Sequence, residues 1–454
     1  MQVWHGFTAT FDDPNLVSCA GLAPVLQLAQ RAGLHDLVDA HVQLNTPGGA
    51  NAHLKVPALI AGMVAGADSI DDMALLRHGA MRRLFTGIRA PSTLGTFLRT
   101  FTFGHVRQLD AVNSRLLIKV CRLAPVLPGV AELAYVDIDD TVRQTYGYAK
   151  QGAGRGYTGV KGLNVLLAIL STPTGAPLIT GIRLRKGSTH SARGAERFVT
   201  DALSTARKAG ATGTLVLRAD SAYYNSDVTA AVLRHRAHFS ITARRLPPVL
   251  KAISAIGAQA WTPIKYTNAI WDQDAQGWIS DAEVAEIAFT AFTSKDTSKQ
   301  VTARLIVRRV PDLNPAHQSE LFTAYRYHAV FTNSPLSMLV AEKAHRAHAI
   351  VEQVIADLKN GPLAHLPSGR FGANSAWAVC AAMAFNLTRA AGAFASRFHA
   401  KATTGTIRAQ LICVPGRLAR SARQHTLHLP TNWPWANQWT QMAATARHGP
   451  PTAA

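Results

Sequence analysis

Cysteine and acidic side chains are both scarce in this sequence. Its 454 residues include four cysteines, which are scattered and form no C-x-x-C pair, so the pattern excludes a disulfide framework and a cysteine-based zinc site. The first residues, MQVWHGFTATFDD, lack the basic-then-apolar order of a signal peptide. The longest apolar runs, such as VPALIAGMVAGA and AWAVCAAMAF, are too short to cross a bilayer. We therefore expect a cytoplasmic protein without a membrane segment.

The shortage of acid leaves a large positive surplus. Asp and Glu total 27 against 47 for Lys and Arg, which gives a net charge of +20. The surplus is spread along the chain, as in a protein whose partner carries many phosphates, although a basic soluble protein without such a partner has the same composition. With 48% hydrophobic and 16% charged residues, the chain is expected to fold, and its length favours two or three structural units.

Hydrophobic periodicity divides the chain into helical and strand-rich segments. An N-terminal segment has apolar residues at helical spacing, and short β runs separated by Gly-rich turns follow it. We predict an N-terminal helical domain for DNA binding or dimerisation, a mixed-sheet α/β core in two parts with a β-rich insertion between them, and a C-terminal tail. The predicted boundaries are 1–125 for the helical domain, 126–245 and 336–400 for the core, 246–335 for the insertion, and 401–454 for the tail.

The stretch AYVDIDDTVRQT concentrates acid where the pattern predicts a strand. Asp137, Asp139 and Asp140 fall within four residues, and burying an unpaired carboxylate is costly. Asp137 and Asp139 are two residues apart and share one face of the strand. Asp220 ends another apolar run, TLVLRAD. A carboxylate at the end of a strand is typical of a site at a sheet edge, but before SAYYN it could equally be a helix cap.

A third carboxylate lies in the helical pattern HRAHAIVEQVIADLKNG. Glu352 shares one predicted helical face with His345, His348 and Lys359, because residues three, four and seven apart stack on a helix. A solvated helix face would explain Glu352 and Lys359 as well. Three carboxylates without a Cys/His ligand set suit Mg²⁺ or Mn²⁺, which prefer oxygen ligands. Two such ions can promote phosphoryl transfer.

Several ordered motifs support a resemblance to a known family. They are DIDDT at 137–141, LRADSAYY, GYTGVKGLNVLL with Tyr157, Lys161 and Gly162, LRKGSTHSARGAERF, and RFGANSAWAVCAAMAFNLTR with Phe371, Asn374, Trp377 and Asn386. With these motifs, the chain resembles a DDE transposase of the insertion sequence 1380 family, within the group similar to insertion sequence 4 transposases. The predicted elements follow the order of a ribonuclease H-like core. A strand with an Asp comes first, then further strands, a helix, a second strand with an Asp, and a helix with a Glu.

The resemblance implies a set of functional residues. Asp139, Asp220 and Glu352 would be catalytic and would bind two Mg²⁺ or Mn²⁺ ions, with Asp137 as the alternative first carboxylate. Lys359, together with His345 and His348, would contact DNA. The wider group carries Y-x-x-R-x-x-x-E-x-x-x-x-x-x-K here, so these histidines replace its Tyr and Arg, and Asp140 stands where the family often has Ser.

The resemblance also implies substrates and partners. The N-terminal domain would bind inverted repeats, and the protein would cut them and join them to target DNA, acting as a homodimer on paired ends. In the insertion, Trp271 and Trp278 could stack on an unpaired base, whereas core packing is the usual fate of tryptophan. Two alternatives remain open: a two-metal nuclease without strand transfer, and a catalytically inactive DNA-binding protein derived from a transposase.

Overall fold

The computed structural model describes residues 6–146, 149–156, 158–272, 277–312, 324–422 and 424–449. Tyr157, one of the motif residues, lies outside the described residues. The chain forms two compact units. The helical unit contains Met1–Val126, Ala149–Gln151 and Asp357–Ala454, and the sheet unit contains Leu127–Tyr148 and Gly152–Ala356.

The described residues form thirteen strands and fifteen α-helices. The strands are β1 Leu16–Val17, β2 Leu133–Gln144, β3 Gly154–Arg155, β4 Lys161–Ser171, β5 Leu178–Lys186, β6 Thr214–Ala219, β7 His238–Thr242, β8 Thr262–Asp272, β9 Gly277–Ala291, β10 Val301–Pro311, β11 Tyr325–Thr332, β12 Gly416–Ser421 and β13 Gln424–His428. The helices are α1 Leu22–Arg31, α2 Leu34–His41, α3 Ala52–Ala65, α4 Met81–Leu84, α5 Pro91–Leu98, α6 Phe103–Leu123, α7 Ala195–Lys208, α8 Ser226–Arg234, α9 Pro247–Ser254, α10 Met338–Arg346, α11 Ile350–Lys359, α12 Phe371–Ala395, α13 Arg397–Lys401, α14 Thr404–Ile407 and α15 Ala436–His448.

A ten-stranded mixed sheet organises the described part of the sheet unit. Its first half has the order β5-β4-β2-β6-β7, in which β2, β4 and β5 are antiparallel neighbours while β6 and β7 run parallel to β2. Strand β4 is mostly apolar and buried on both faces, as expected for a strand inside a sheet covered by helices, and β2 begins with the buried run 134–136 before its acidic residues. The predicted α/β fold class is therefore confirmed, and the order is consistent with a ribonuclease H-like core.

The strand-rich segment that we expected as an insertion extends this same sheet. Strand β11 pairs antiparallel with β7, and β10, β9 and β8 follow in order. Their long alternating strands bury one face, including Val284 and Ile306, against α10. The second half of the sheet is thus joined to the core by main-chain hydrogen bonds as well as by the chain itself.

Helix α12 is the longest apolar element. Its 25 residues have the length and hydropathy of a membrane span, but 94% of its most apolar 18-residue stretch is buried inside the protein. It packs against α6, α3 and α1, and the Trp377 indole donates to the carbonyl of Pro362 at 2.6 Å. No membrane protein is implied by this helix. Helix α12 belongs to the helical unit.

The C-terminal segment folds back on the N-terminus, although its sequence shows little periodicity. Strand β12 pairs with β1 and β13, and α15 packs against α1 and α12. This return brings together two of the scattered cysteines, Cys19 and Cys413, whose Sγ atoms lie 3.6 Å apart as free thiols. Cys121 and Cys380 lie apart from them, and burial raises the pKa of each to about 12.

Candidate active site

Two neighbouring parallel strands place the first two carboxylates side by side. Strands β2 and β6 pair in register up to Ile138 and Ala219, so the next residues on the two strands are Asp139 and Asp220. Neighbouring strands lie about 4.8 Å apart. The chain leaves the sheet at Asp220, whose Oδ1 accepts a hydrogen bond from the Ala222 N–H at 3.0 Å. The expected cap is therefore present, and the capping carboxylate lies next to Asp139.

The pKa values of Asp139 and Asp220 are both raised, because each carboxyl group is largely shielded from water and has other acidic side chains nearby. Burial raises the pKa of Asp139 to about 7, and the nearby carboxylates of Asp220, Asp140 and Glu352 add to the rise. The Asp140 N–H opposes it by donating to Asp139 Oδ1 at 2.7 Å. Burial likewise raises the pKa of Asp220, against the Ala222 N–H, His348 and Arg244. A bound cation would relieve this repulsion.

Glu352 lies on a separate helix, and in this structure it does not come close enough to Asp139 and Asp220 to form a three-carboxylate metal group. It lies in the first turn of α11 and is exposed. Its effect on the pKa of Asp139 places its carboxylate within electrostatic range of that group. The single helix that we predicted through this region is interrupted, because α10 ends at Arg346 and a 3₁₀ turn spans Ala347–Ala349 before α11 begins.

This interruption separates the two histidines. The His345 ring is buried between α10 and β7, with one nitrogen 2.9 Å from Ser240 Oγ and the other 3.0 Å from Thr242 Oγ1. Burial lowers its pKa to about 3, so the ring is neutral. A neutral ring with both nitrogens engaged cannot contact a phosphate, which corrects our expectation for His345. His348 is half-buried and stacks on His345 with ring centroids 5.5 Å apart.

Asp137, the alternative first carboxylate, is occupied by the protein itself. It is fully buried, and the Arg218 guanidinium donates to both of its oxygens, at 2.6 and 2.7 Å. A third Arg218 nitrogen donates to the Ala344 carbonyl in α10 at 2.6 Å, and the guanidinium lies 4.0 Å from the centroid of the Tyr135 ring. These contacts favour Asp139 as the first carboxylate of the site.

Asp140 projects from the opposite face of β2 and is also neutralised internally. Arg185 donates to it at 2.6 Å, Ser191 Oγ lies 3.0 Å away, and Asn164 Nδ2 donates as well. These partners come from the motifs GLNVLL and LRKGSTHS. Sequence analysis did not identify Arg218 or Arg185 as partners of the acidic residues, although R-A-D places Arg218 on the same strand face as Asp220.

Two glycines in these motifs, Gly162 and Gly187, allow neighbouring backbone segments to approach each other closely. A Cβ on Gly162 would lie 2.3 Å from the Arg143 carbonyl oxygen, and one on Gly187 would lie 2.0 Å from the Gly162 carbonyl oxygen. Real Cβ contacts are never that short, so only glycine fits at either position. The motif around Gly162 therefore has a structural reason independent of catalysis.

The donor chemistry of the carboxylate set fits Mg²⁺ or Mn²⁺. Asp139, Asp220 and Glu352 supply hard oxygen ligands, and burial, with a smaller contribution from the neighbouring carboxylates, keeps the pKa of Asp139 high. Within the described ranges, no group of three His, Cys, Asp or Glu side chains lies close enough to form a ready-made metal cage. Lys359 ends α11 and belongs to the helical unit, so its contact with DNA stays a prediction.

Two tryptophans of the extended sheet are exposed. Trp271 is 44% and Trp278 is 64% exposed, and their rings make an edge-to-face pair with centroids 5.4 Å apart. The expectation that these two tryptophans pack in the core is therefore wrong. Trp261 differs, because the Arg309 guanidinium lies over its ring at 4.2 Å.

Comparison with known proteins gives one match. A family model described as Transposase DDE domain group 1 matches residues 5–450, nearly the whole chain. The match includes β2 with Asp139, the end of β6 with Asp220, and α11 with Glu352. A search of curated proteins finds no match.

Proposed function

The chain belongs to the family Transposase DDE domain group 1, and from this premise we propose that it cuts DNA at the ends of an insertion sequence and joins them to target DNA. Transposase activity and DNA binding follow from the family. The finer steps, hydrolysis at the transposon end followed by attack of the freed 3′-hydroxyl on target DNA, are our proposal. So is the narrower assignment to the insertion sequence 1380 family, which rests on the motifs quoted above.

One observation carries this proposal. The Asp139 carboxylate sits beside Asp220, within electrostatic range of Glu352, with its pKa raised to about 7. Among the described residues, neither Asp139 nor Asp220 forms an ion pair with Lys or Arg, whereas Asp137 and Asp140 each pair with a buried arginine. A cation bound beside Asp139 and Asp220 would reduce the repulsion between their carboxylates.

The residues of the chain divide the chemical work. Asp139, Asp220 and Glu352 would hold the metal, and when bound, two Mg²⁺ or Mn²⁺ ions would activate the attacking oxygen and stabilise the leaving one. Asp139 must release its proton before it can act as a ligand, and a pKa of about 7 permits this near neutral pH. His348 and Lys359 would contact phosphates of the DNA backbone.

The rest of the molecule would handle DNA. A net charge of +20 favours a polyanionic partner, and we assign the inverted repeats to the helical domain and the unpaired bases of the cut end to Trp271 and Trp278. We further propose a homodimer acting on paired ends in the cytoplasm.

The test is cleavage of a labelled DNA fragment that carries the flanking inverted repeat, with Mg²⁺, Mn²⁺ or EDTA. We expect a metal-dependent cut at the repeat boundary that Asp220→Ala abolishes. A pre-cut end then tests joining to a target plasmid. Cutting without joining would indicate the nuclease alternative. Specific binding without cutting would indicate the inactive DNA-binding alternative, and either result would reject strand transfer.

A further inference from the structure

We infer that Arg218 is the positioning residue that fixes the three carboxylate-bearing elements of the site relative to one another. The inference rests on the proposed function, because it concerns the geometry of Asp139, Asp220 and Glu352. Arg218 itself touches neither substrate nor metal in this assignment. Arg218 belongs to β6 and lies two residues before Asp220. Its guanidinium contacts Asp137 of β2 and the Ala344 carbonyl of α10 at the same time.

The first two contacts fix the strands. Asp220 directly follows β6 with an extended backbone, two residues after Arg218, and Asp137 and Asp139 are two apart on β2, so each pair shares a strand face. Arg218 and Asp137 are direct partners in the β2–β6 register. Their two-pronged ion pair, at 2.6 and 2.7 Å, therefore lies directly beneath the two carboxylates and opposes any slip of one strand along the other.

The third contact fixes the helix that leads to Glu352. Arg218 donates to the Ala344 carbonyl at 2.6 Å, within the last turn of α10. The neighbouring His345 joins the same turn to Ser240 and Thr242 of β7. The chain then makes one 3₁₀ turn and enters α11, where Glu352 is the third residue. The start of α11 is thereby attached to the strands that carry Asp139 and Asp220.

Only arginine can make this set of contacts. A guanidinium has donors in a rigid planar fork, which here serve two carboxylate oxygens and one carbonyl while its face covers the Tyr135 ring at 4.0 Å. A lysine ammonium carries the same charge without the fork. A fully buried ion pair is weak evidence for stability, because well-packed apolar side chains often replace it at little cost. Its geometric role is therefore separable from its contribution to folding.

The test compares wild type with Asp137→Leu/Arg218→Met, which removes both charges together. A matched control is Glu286→Leu/Arg304→Met, because Arg304 also donates to a carboxylate, at 2.9 and 2.5 Å, and to the carbonyls of Ser334 and Leu336. Mn²⁺ binding is measured by electron paramagnetic resonance of the free ion, DNA binding by gel shift, and cleavage with the inverted-repeat fragment.

We expect the Asp137/Arg218 double variant to bind DNA as wild type does. Its Mn²⁺ affinity should fall about 10-fold or more, as when outer-shell partners of a metal site are removed. Cleavage should fall about 100-fold, the effect of a displacement of about 1 Å in a catalytic geometry. The control should retain wild-type Mn²⁺ affinity and cleavage. Equal losses in both double variants would overturn the inference, because they would show a general loss of rigidity.

Arg218→Lys is the second variant and covers the case in which the double variant does not fold. It keeps the buried charge opposite Asp137 but cannot form the two-pronged bond, so we expect a folded protein with the same losses in Mn²⁺ affinity and cleavage. Wild-type behaviour of Arg218→Lys would overturn the positioning role while leaving the proposed function intact. A wild-type protein that binds no Mn²⁺ and cuts no DNA would instead reject the proposed function itself, and this inference with it.

Discussion

Two layers of acidic side chains on strands β2 and β6 differ in how their charge is balanced. In the lower layer, Asp137 is fully buried against Arg218. In the upper layer, Asp139 and Asp220 lie side by side and form no ion pair with Lys or Arg within the described part of the chain, while burial raises the pKa of the carboxylates in both layers. The two layers are only one strand repeat apart. The comparison shows that a carboxylate becomes structural where the fold supplies a buried cation, and stays available to a ligand where it does not.

Removing a carboxylate of the upper layer should have the largest effect on activity. Asp139→Asn and Asp220→Asn should each reduce cleavage of an inverted-repeat fragment by about 1000-fold or more, since each removes a charge that acts at the reacting centre. Glu196→Gln is the control, because its carboxylate forms a surface pair with Arg234. Cleavage that survives in either asparagine variant would place the catalytic site elsewhere.

Stability should respond in the opposite way to the two layers. Asp137→Ala leaves the Arg218 charge buried without its carboxylate and should lower the free energy of unfolding by about 3–5 kcal/mol. Asp139→Asn removes a group whose ionisation is unfavourable in the folded state and should cause no loss. Urea denaturation at pH 8 without metal measures both. A stable Asp137→Ala protein would contradict the assignment of Asp137 to a structural role.

The pH dependence of stability sharpens the comparison. The folded-state pKa of Asp139 is about 7, above the unfolded value of about 3.9, so the folded state retains the proton more strongly. The contribution of Asp139 to stability is complete below pH 4 and is lost as pH rises to 7. Wild type should therefore lose stability relative to Asp139→Asn over this range. Mg²⁺ should reduce the loss, and parallel curves for the two proteins would refute the raised pKa.

The exposed tryptophans should affect DNA binding more modestly. Trp271→Ala and Trp278→Ala should each weaken binding to ends with unpaired bases by about 1–3 kcal/mol, with little effect on blunt duplex. Fluorescence anisotropy with the two DNA forms measures the difference. Equal weakening on both forms would indicate a backbone contact instead of stacking.

The smallest effect is expected at the two histidines, where burial decides the outcome. His348→Arg should strengthen end binding by roughly 1 kcal/mol through a charge-assisted contact with phosphate, measured as a steeper dependence of affinity on salt. His345→Arg should instead destabilise the fold, because it places a charge between α10 and β7. An unchanged salt dependence in His348→Arg would remove His348 from the DNA-contacting surface.

The sequence was a good guide to elements whose signal is local. Alternating and continuous apolar runs predicted β2, β4 and β6, and the acidic residues within β2 and directly after β6 marked the candidate site. The split between α10 and α11 was not predictable in this way, because the helical pattern continues through residues 347–349. At this point Arg218 donates to the Ala344 carbonyl, and His345 contacts the β7 hydroxyls, which are partners that no local pattern contains.

Contacts between residues far apart in the chain could not be predicted from the sequence, for a related reason. Nothing in the tail after 415 indicates that β12 pairs with β1, since the pairing is made between residues about four hundred positions apart. Nothing in the apolar run of α12 indicates that it is buried by helices from the first 126 residues. Similarly, the charge of DIDDT gave no indication of which carboxylate has an arginine partner.

By itself, the sequence determined the mixed α/β class and the large positive charge, because each of these depends on composition or on spacing within a single element, and its motifs led to the proposal of three catalytic carboxylates through their family resemblance. Tertiary structure alone decided which acids are neutralised. Strand alternation sends Asp137 and Asp139 to one face of β2 and Asp140 to the other, but only the sheet, in which β2 pairs with β6 and with β4, and β4 with β5, places Arg218 and Arg185 against two of them. Within the part of the chain that the structure describes, half-buried Asp139 pairs with no arginine, so a bound cation would lower the free energy of its charge.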